Sequence, residues 1–203
     1  MNRRRREILR AADRLVAEQG IKALTVRNVA ARTGIGASTL RYYFPTQQDL
    51  YTEVLGRTFD AQLDDLNIAD RTLSPTQRLT ECMTQFLPAT DADVPQLAGW
   101  LRMYTATLEP DGAQTRLLSA FGQRARTRVD AWLATLDGEG ALRPGSRNHH
   151  TLVLLAMIDG LCLGLITPDT PFTLKHAKAV LVDVVAGVVV DESTRTRSAD
   201  DTS

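Results

Sequence analysis

Three features of the chain predict an all-α fold in two parts. Apolar residues recur at helical spacing in segment after segment, no segment alternates as a strand would, and Gly and Pro punctuate the gaps. Charge sets the parts. Residues 1–50 hold ten Lys or Arg against four Asp or Glu, and the remainder holds fourteen against twenty, so a +6 head is joined to a −6 body. The division expected is a head of residues 1–46, a helical body of 47–190 and a disordered polar tail of 191–203. A field concentrated at one end steers that end to a polyanion.

Within the head, Arg3 to Arg6 form a basic arm ahead of a first helix that begins near Ile8. Arg4 and Arg5 could lie on a phosphate backbone or enter the minor groove; a solvated helix start explains them equally well. The stretch TVRNVAARTGIGASTLRYYF, Thr25 to Phe44, reads as two short helices and a sharp turn. Thr25 can N-cap the first, whose inward residues are Val26, Val29 and Ala30, and Gly34 can turn the chain without steric cost. Ile35 plugs the gap. Gly36 then opens a second helix that turns Leu40 and Phe44 inward and leaves Ala37, Ser38, Arg41, Tyr42 and Tyr43 off the core. Such side chains suit the major groove of double-stranded DNA, where arginine reads guanine and tyrosine reaches phosphates or thymine methyls.

The run ILRAADRLVAEQGIKALTVRNVAARTGIGASTLRYYFPTQQDLYTEVL, Ile8 to Leu55, resembles the DNA-binding domain of the tetracycline-repressor (TetR) family of bacterial transcription regulators. The resemblance rests on the T-V-x-x-V-A-x-x-T-G pattern, the aromatic close of the second helix and the F-P-x-x-x-x-L start of a fourth, all in register. Ser38, Arg41 and Tyr42 would then read bases, Ala37 would make an apolar contact, and Thr25, Arg27, Tyr43 and Gln47 would position the backbone. Three positions depart from the family pattern. Gln47 stands where lysine is common, Arg41 where tyrosine is common, and Gly36 where serine would cap the helix.

The rest of the chain reads as helices. Thr46 and Asp49 resemble a capping box opening a helix through Leu50, Val54, Leu55, Phe59 and Leu63. Pro75 and Pro95 suit helix starts, and a longer amphipathic helix follows from Gln114 to Leu136. The last two helices, about Arg147 to Ile166 and Phe172 to Val190, are apolar over more than one face. Their candidate surface is Leu152, Leu155, Ala156, Asp159, Gly160 and Leu163 with Val180, Leu181, Val184 and Val188. The resemblance implies that they pair with a second copy as a four-helix bundle, Gly160 and Gly164 allowing close approach; a large monomer core is the alternative. A two-fold homodimer would set its recognition helices one helical turn apart, or a multiple of it, on a palindromic operator.

The resemblance further implies a small-molecule effector that releases a repressor from its operator. Phe59, Met83, Phe86, Trp100, Met103, Tyr104 and Phe121 would line a pocket for a hydrophobic or amphipathic compound, although aromatics at helical spacing also build plain cores. Constitutive DNA binding without ligand control is the alternative, and a non-catalytic interaction protein is a further one. No cofactor, metal site or enzymatic motif is expected. Adjacent His149 and His150 would point about 100° apart on a helix, and His176 has no triad partners. Cys82 and Cys162 suit buried thiols in a cytoplasmic protein. No leader is expected, and the apolar runs at 152–166 and 180–190, each broken by an aspartate, fall short of a membrane span.

Overall fold

The computed structural model describes residues 3–19, 23–61, 63–98, 101 and 113–191. Helices dominate: α1 (Arg3–Gln19), α2 (Val26–Thr33), α3 (Ala37–Tyr43), α4 (Gln47–Ala61), α5 (Pro75–Thr84), a 3-10 helix (Asp91–Gln96), α6 (Ala113–Gly138), α7 (Arg147–Ile166) and α8 (Leu174–Ala186). Two compact units form, one from Met1–Gln62 with Pro110–Phe121 and one from Leu63–Glu109 with Gly122–Ser203. By contact α4 therefore goes with the head, whereas the division drawn from sequence assigned it to the body.

The first unit is a small helical domain with one core. Ile8, Leu9, Ala12 and Leu15 of α1 meet Leu24, Val29 and Ala30, Leu40 and Phe44, and Leu50 and Val54. Each helix contributes one apolar stripe, and α1 packs on both α2 and α4. The Thr46–Asp49 capping box forms: the Asp49 N–H donates to Thr46 Oγ1 at 3.0 Å and the Thr46 N–H donates to Asp49 Oδ2 at 2.9 Å. Arg3 to Arg6 lie inside α1 rather than ahead of it. Basic residues there oppose the helix dipole, but Glu7 pairs with Arg3 and Arg4 one turn on and offsets the penalty.

In the second unit, α5 packs on α8, α8 on α7, and the 3-10 helix against α7. Ser74 caps α5, accepting from the Gln77 N–H at 3.1 Å, and Pro75 occupies the first helical position, where its missing N–H costs nothing. Pro95 does not open a helix; it lies inside the 3-10 segment. The last helix is shorter than its apolar run, because the chain after Gly187 extends and pairs back. Arg143 N–H donates to Val188 O and Val190 N–H to Ala141 O, each at 2.9 Å. Asp191, placed in the tail by composition, accepts from the Thr76 N–H at 3.0 Å and so belongs to the folded body. Residues 192–203 lie outside the described residues.

A polar network ties the start of this unit to α6. Asp65 accepts from Trp132 Nε1 at 2.8 Å and Arg128 Nη1 at 3.0 Å, and these bonds, the indole's first, hold its carboxyl below the usual range. Cys82 and Cys162 are free and buried, and burial pushes their thiols up to about 12 and about 11, where they stay protonated. At 20 residues α7 is, by length and composition, long and apolar enough to cross a membrane, contrary to the expectation from its run length. Its residues Leu154, Ile158, Leu161 and Cys162 are nevertheless buried in the helical body, as in a core helix.

Candidate nucleic-acid interface

The turn between α2 and α3 is built from caps. Thr25, in extended backbone at φ −125°, accepts from the Asn28 N–H at 3.1 Å, while Asn28 Nδ2 donates back to Ala23 O at 2.9 Å. At the far end Gly34 adopts φ +65°, and the Ile35 N–H reaches back to Ala30 O at 3.1 Å, closing α2 in a Schellman-type turn. Ile35 then packs against the core. Gly34→Ala meets no atom within 4 Å of the added carbon, so its cost is the left-handed backbone alone, about 1 kcal/mol. Urea denaturation of the full chain checks this; an unchanged midpoint would show that the turn relaxes.

Gly36 caps α3 without a side-chain bond, at φ −67°. That conformation suits any residue, and a Cβ there would meet only Ser38 Oγ at 3.6 Å and Thr39 Oγ1 at 4.0 Å. Gly36→Ser should therefore add a few tenths of a kcal/mol, about the difference between these caps, read in the same denaturation experiment.

Leu40 and Phe44 anchor α3 in the core, at 0% and 1% exposure. Ala37, Ser38, Arg41 and Tyr42 are exposed together, Tyr42 by 81%, and Thr39 joins them, a residue the sequence reading did not single out. Its position on α3 was the available signal. Tyr43 is different. It is half-buried against the core, its ring edge-on to Tyr42 with centroids 5.1 Å apart, so it builds the domain instead of standing clear of it. Arg27 lies exposed in the first turn of α2 and Gln47 at the first residue of α4, while Thr25 is committed to its cap.

Electrostatics in the unit are directional. Glu7 engages Arg3 and Arg4, Asp13 engages Arg57, Glu18 engages Arg32, Glu53 engages Arg5, and Asp49 is held in its capping box. Arg5 also lies 5.1 Å from the Phe44 ring centroid, so it is directed inward, unlike exposed Arg4. Arg27 and Arg41 have no ion pair among the described residues. Positive charge is thus left uncompensated on the helices that carry the exposed residues.

The expected pocket residues are not brought together by what is described. Met83 is fully buried core; Phe86 is half-buried, its ring 6.1 Å from Trp132. Phe121 belongs to the first unit and is half-buried. Trp100, Met103 and Tyr104, with the Phe59 side chain, lie outside the described residues. The histidines serve helix starts: the His149 N–H donates to Ser146 Oγ, buried His150 places Nε2 3.1 Å from the Arg143 carbonyl, and His176 completes a capping box with Thr173.

Two short helices around a left-handed glycine, the second anchored by two apolar residues and otherwise turned outward with its charge unpaired, define a helix-turn-helix DNA-binding protein. The chain belongs to the TetR family of bacterial regulatory proteins: that family's N-terminal model matches residues 8–54, and the model described as BetI-type transcriptional repressor, C-terminal, matches residues 75–190. It is a transcriptional regulator and not an enzyme. One relative is the HTH-type transcriptional regulator PksA of Bacillus subtilis (strain 168), 22% identical over 197 residues, covering 96% of this chain and 94% of PksA. Among solved structures, a regulator from Saccharomonospora viridis in complex with choline is 23% identical, with TM-score 0.54 and coverage of 92% and 98%. The multidrug binding protein EbrR complexed with proflavin is 25% identical, with TM-score 0.55 and coverage of 89% and 99%.

Proposed function

We propose that the chain acts as a homodimeric repressor, released from a palindromic operator by a small hydrophobic or amphipathic effector. The observation that carries the dimer is a stripe on α7: Leu152, Ala156, Asp159, Gly160 and Leu163 are exposed on the side opposite its buried residues, Leu152 by 47% and Leu163 by 50%. Val180 and Val182 of α8 add to the exposed apolar surface. Aliphatic side chains at that spacing fit a helix-on-helix interface. Leu155 and Val184 are half-buried, whereas Leu181 and Val188 are core residues of the single chain and leave the interface set. Gly164 also leaves it, since its missing Cβ makes room for the Phe172 ring, 3.1 Å away, within the same chain.

On DNA, Ser38, Arg41 and Tyr42 read base edges, Ala37 makes an apolar contact, and Arg27, Gln47 and Arg4 lie along the backbone. Arg41→Ala then lowers discrimination between operator and random DNA by about 1 to 3 kcal/mol, the worth of a bidentate guanine contact. Equal weakening on both DNAs would assign Arg41 to phosphate. The effector is an amphipathic small molecule taken up among the middle helices, for which the choline and proflavin bound by the neighbours are the first compounds to try. Gel shift of the purified chain on its own upstream region, with random competitor and these compounds, tests the whole reading. Specific binding lost on adding one compound is the expected result; specific binding that no compound alters favours constitutive binding.

A further inference from the structure

A cleft of about 570 Å3 opens in the second unit between the loop before α5, the end of α6 and the returning chain at Val190. None of the pocket residues expected from sequence lines it. Its floor holds Arg78, 3% exposed in its side chain, which donates from Nη2 to Glu139 Oε2 at 2.7 Å, from Nη1 to Glu139 Oε1 at 3.3 Å and from Nη1 to Ile68 O at 2.9 Å. Arg71 donates to the same carboxylate through Nε at 3.2 Å, and its side chain is 75% exposed. Two guanidiniums thus share one carboxylate. The buried Arg78 Nε has no hydrogen-bond partner among the described residues, and the terminal nitrogens of Arg71 have none either.

We propose that this cleft is a binding site for a small organic carboxylate. The Arg71–Arg78–Glu139 cluster carries one net positive charge and unpartnered N–H donors, and a carboxylate matches a guanidinium in a planar, two-point contact. A buried donor without an acceptor is costly, so an acceptor supplied from outside is favoured. Asp191 also lines the cleft, and its negative charge selects a monoanion over a phosphate dianion. Leu73, Pro75, Ala141 and Val190 complete the lining with apolar surface for a hydrocarbon body.

Isothermal titration of the full chain with benzoate, with neutral benzamide as control, tests the site. Arg71 is the residue to change, since its exposure leaves the fold intact, whereas Arg78 variants unfold readily. Saturable benzoate binding is expected, weakened about tenfold or more in Arg71→Leu, the worth of a charge-assisted contact. Benzamide should not bind. Absent benzoate binding, equal binding of benzamide, or benzoate binding untouched by Arg71→Leu would each overturn the assignment, the last placing the compound in another pocket. The gel shift on operator DNA is independent of all these outcomes.

Discussion

Gly160→Leu should turn the proposed dimer into a monomer without harming the fold. Gly160 is exposed on α7, and a Cβ added there meets nothing within 4 Å, so the leucine has room in the single chain. Replacing a mid-helix glycine also raises helix propensity, by up to about 1 kcal/mol. A second copy packed on the stripe would meet the new side chain directly. Stability and assembly therefore move in opposite directions, which no general unfolding would produce. Sedimentation should show a monomer, and operator affinity should fall about 100-fold or more, because two linked heads gain at least that much from binding together. A Gly160→Leu chain that still sediments as a dimer would place the interface elsewhere.

Glu139→Ala should destabilise the second unit by about 3 to 5 kcal/mol, the usual result of leaving a buried charge without its partner. Arg78 would remain in the interior with its two strongest bonds removed. Replacing both residues, as Arg78→Met with Glu139→Leu, should recover most of that loss, since a buried ion pair contributes little beyond what apolar packing would. The acid limb of the stability curve carries a second signature. Hydrogen bonding from Arg78 first, then its charge and the contacts from Arg71, hold the Glu139 carboxyl below its ordinary value of 4.5. A depressed carboxylate contributes stability that is full above that value and lost as pH falls through the folded one. In Glu139→Gln this portion of the acid-induced loss disappears. Denaturant melts between pH 3 and pH 7 read it, and parallel curves for the two chains would mean that the pair is not formed.

What could be read from the sequence was local. Thr25, Gly34, Leu40 and Phe44, the Thr46–Asp49 box and Pro75 each act on neighbours within five residues, so the pattern along the chain contains its own explanation. Where the decisive partner is distant, it failed. Arg78 and Glu139 are 61 residues apart, and nothing near either announces the pairing. Asp191 closes on Thr76 across 115 residues. Helix faces failed for another reason: α7 is apolar on nearly every side, and α8 on most, so periodicity could not separate Leu181, which is core, from Val180, which is exposed. The basic start of α1 was read as an arm because the Glu7 pairings that stabilise it as helix were not weighed against the dipole penalty.

Leu40 is the one residue of α3 that is fully buried, with Phe44 just beyond the helix and Tyr43 leaning on the core. The surface that faces outward is almost disconnected from what keeps the domain folded, since exposed substitutions of this kind usually change stability by no more than about 0.5 kcal/mol. Ala37, Ser38, Thr39, Arg41 and Tyr42 can therefore be exchanged in nearly any combination. A lineage carrying this head can acquire a new binding sequence one residue at a time, every intermediate remaining a folded protein.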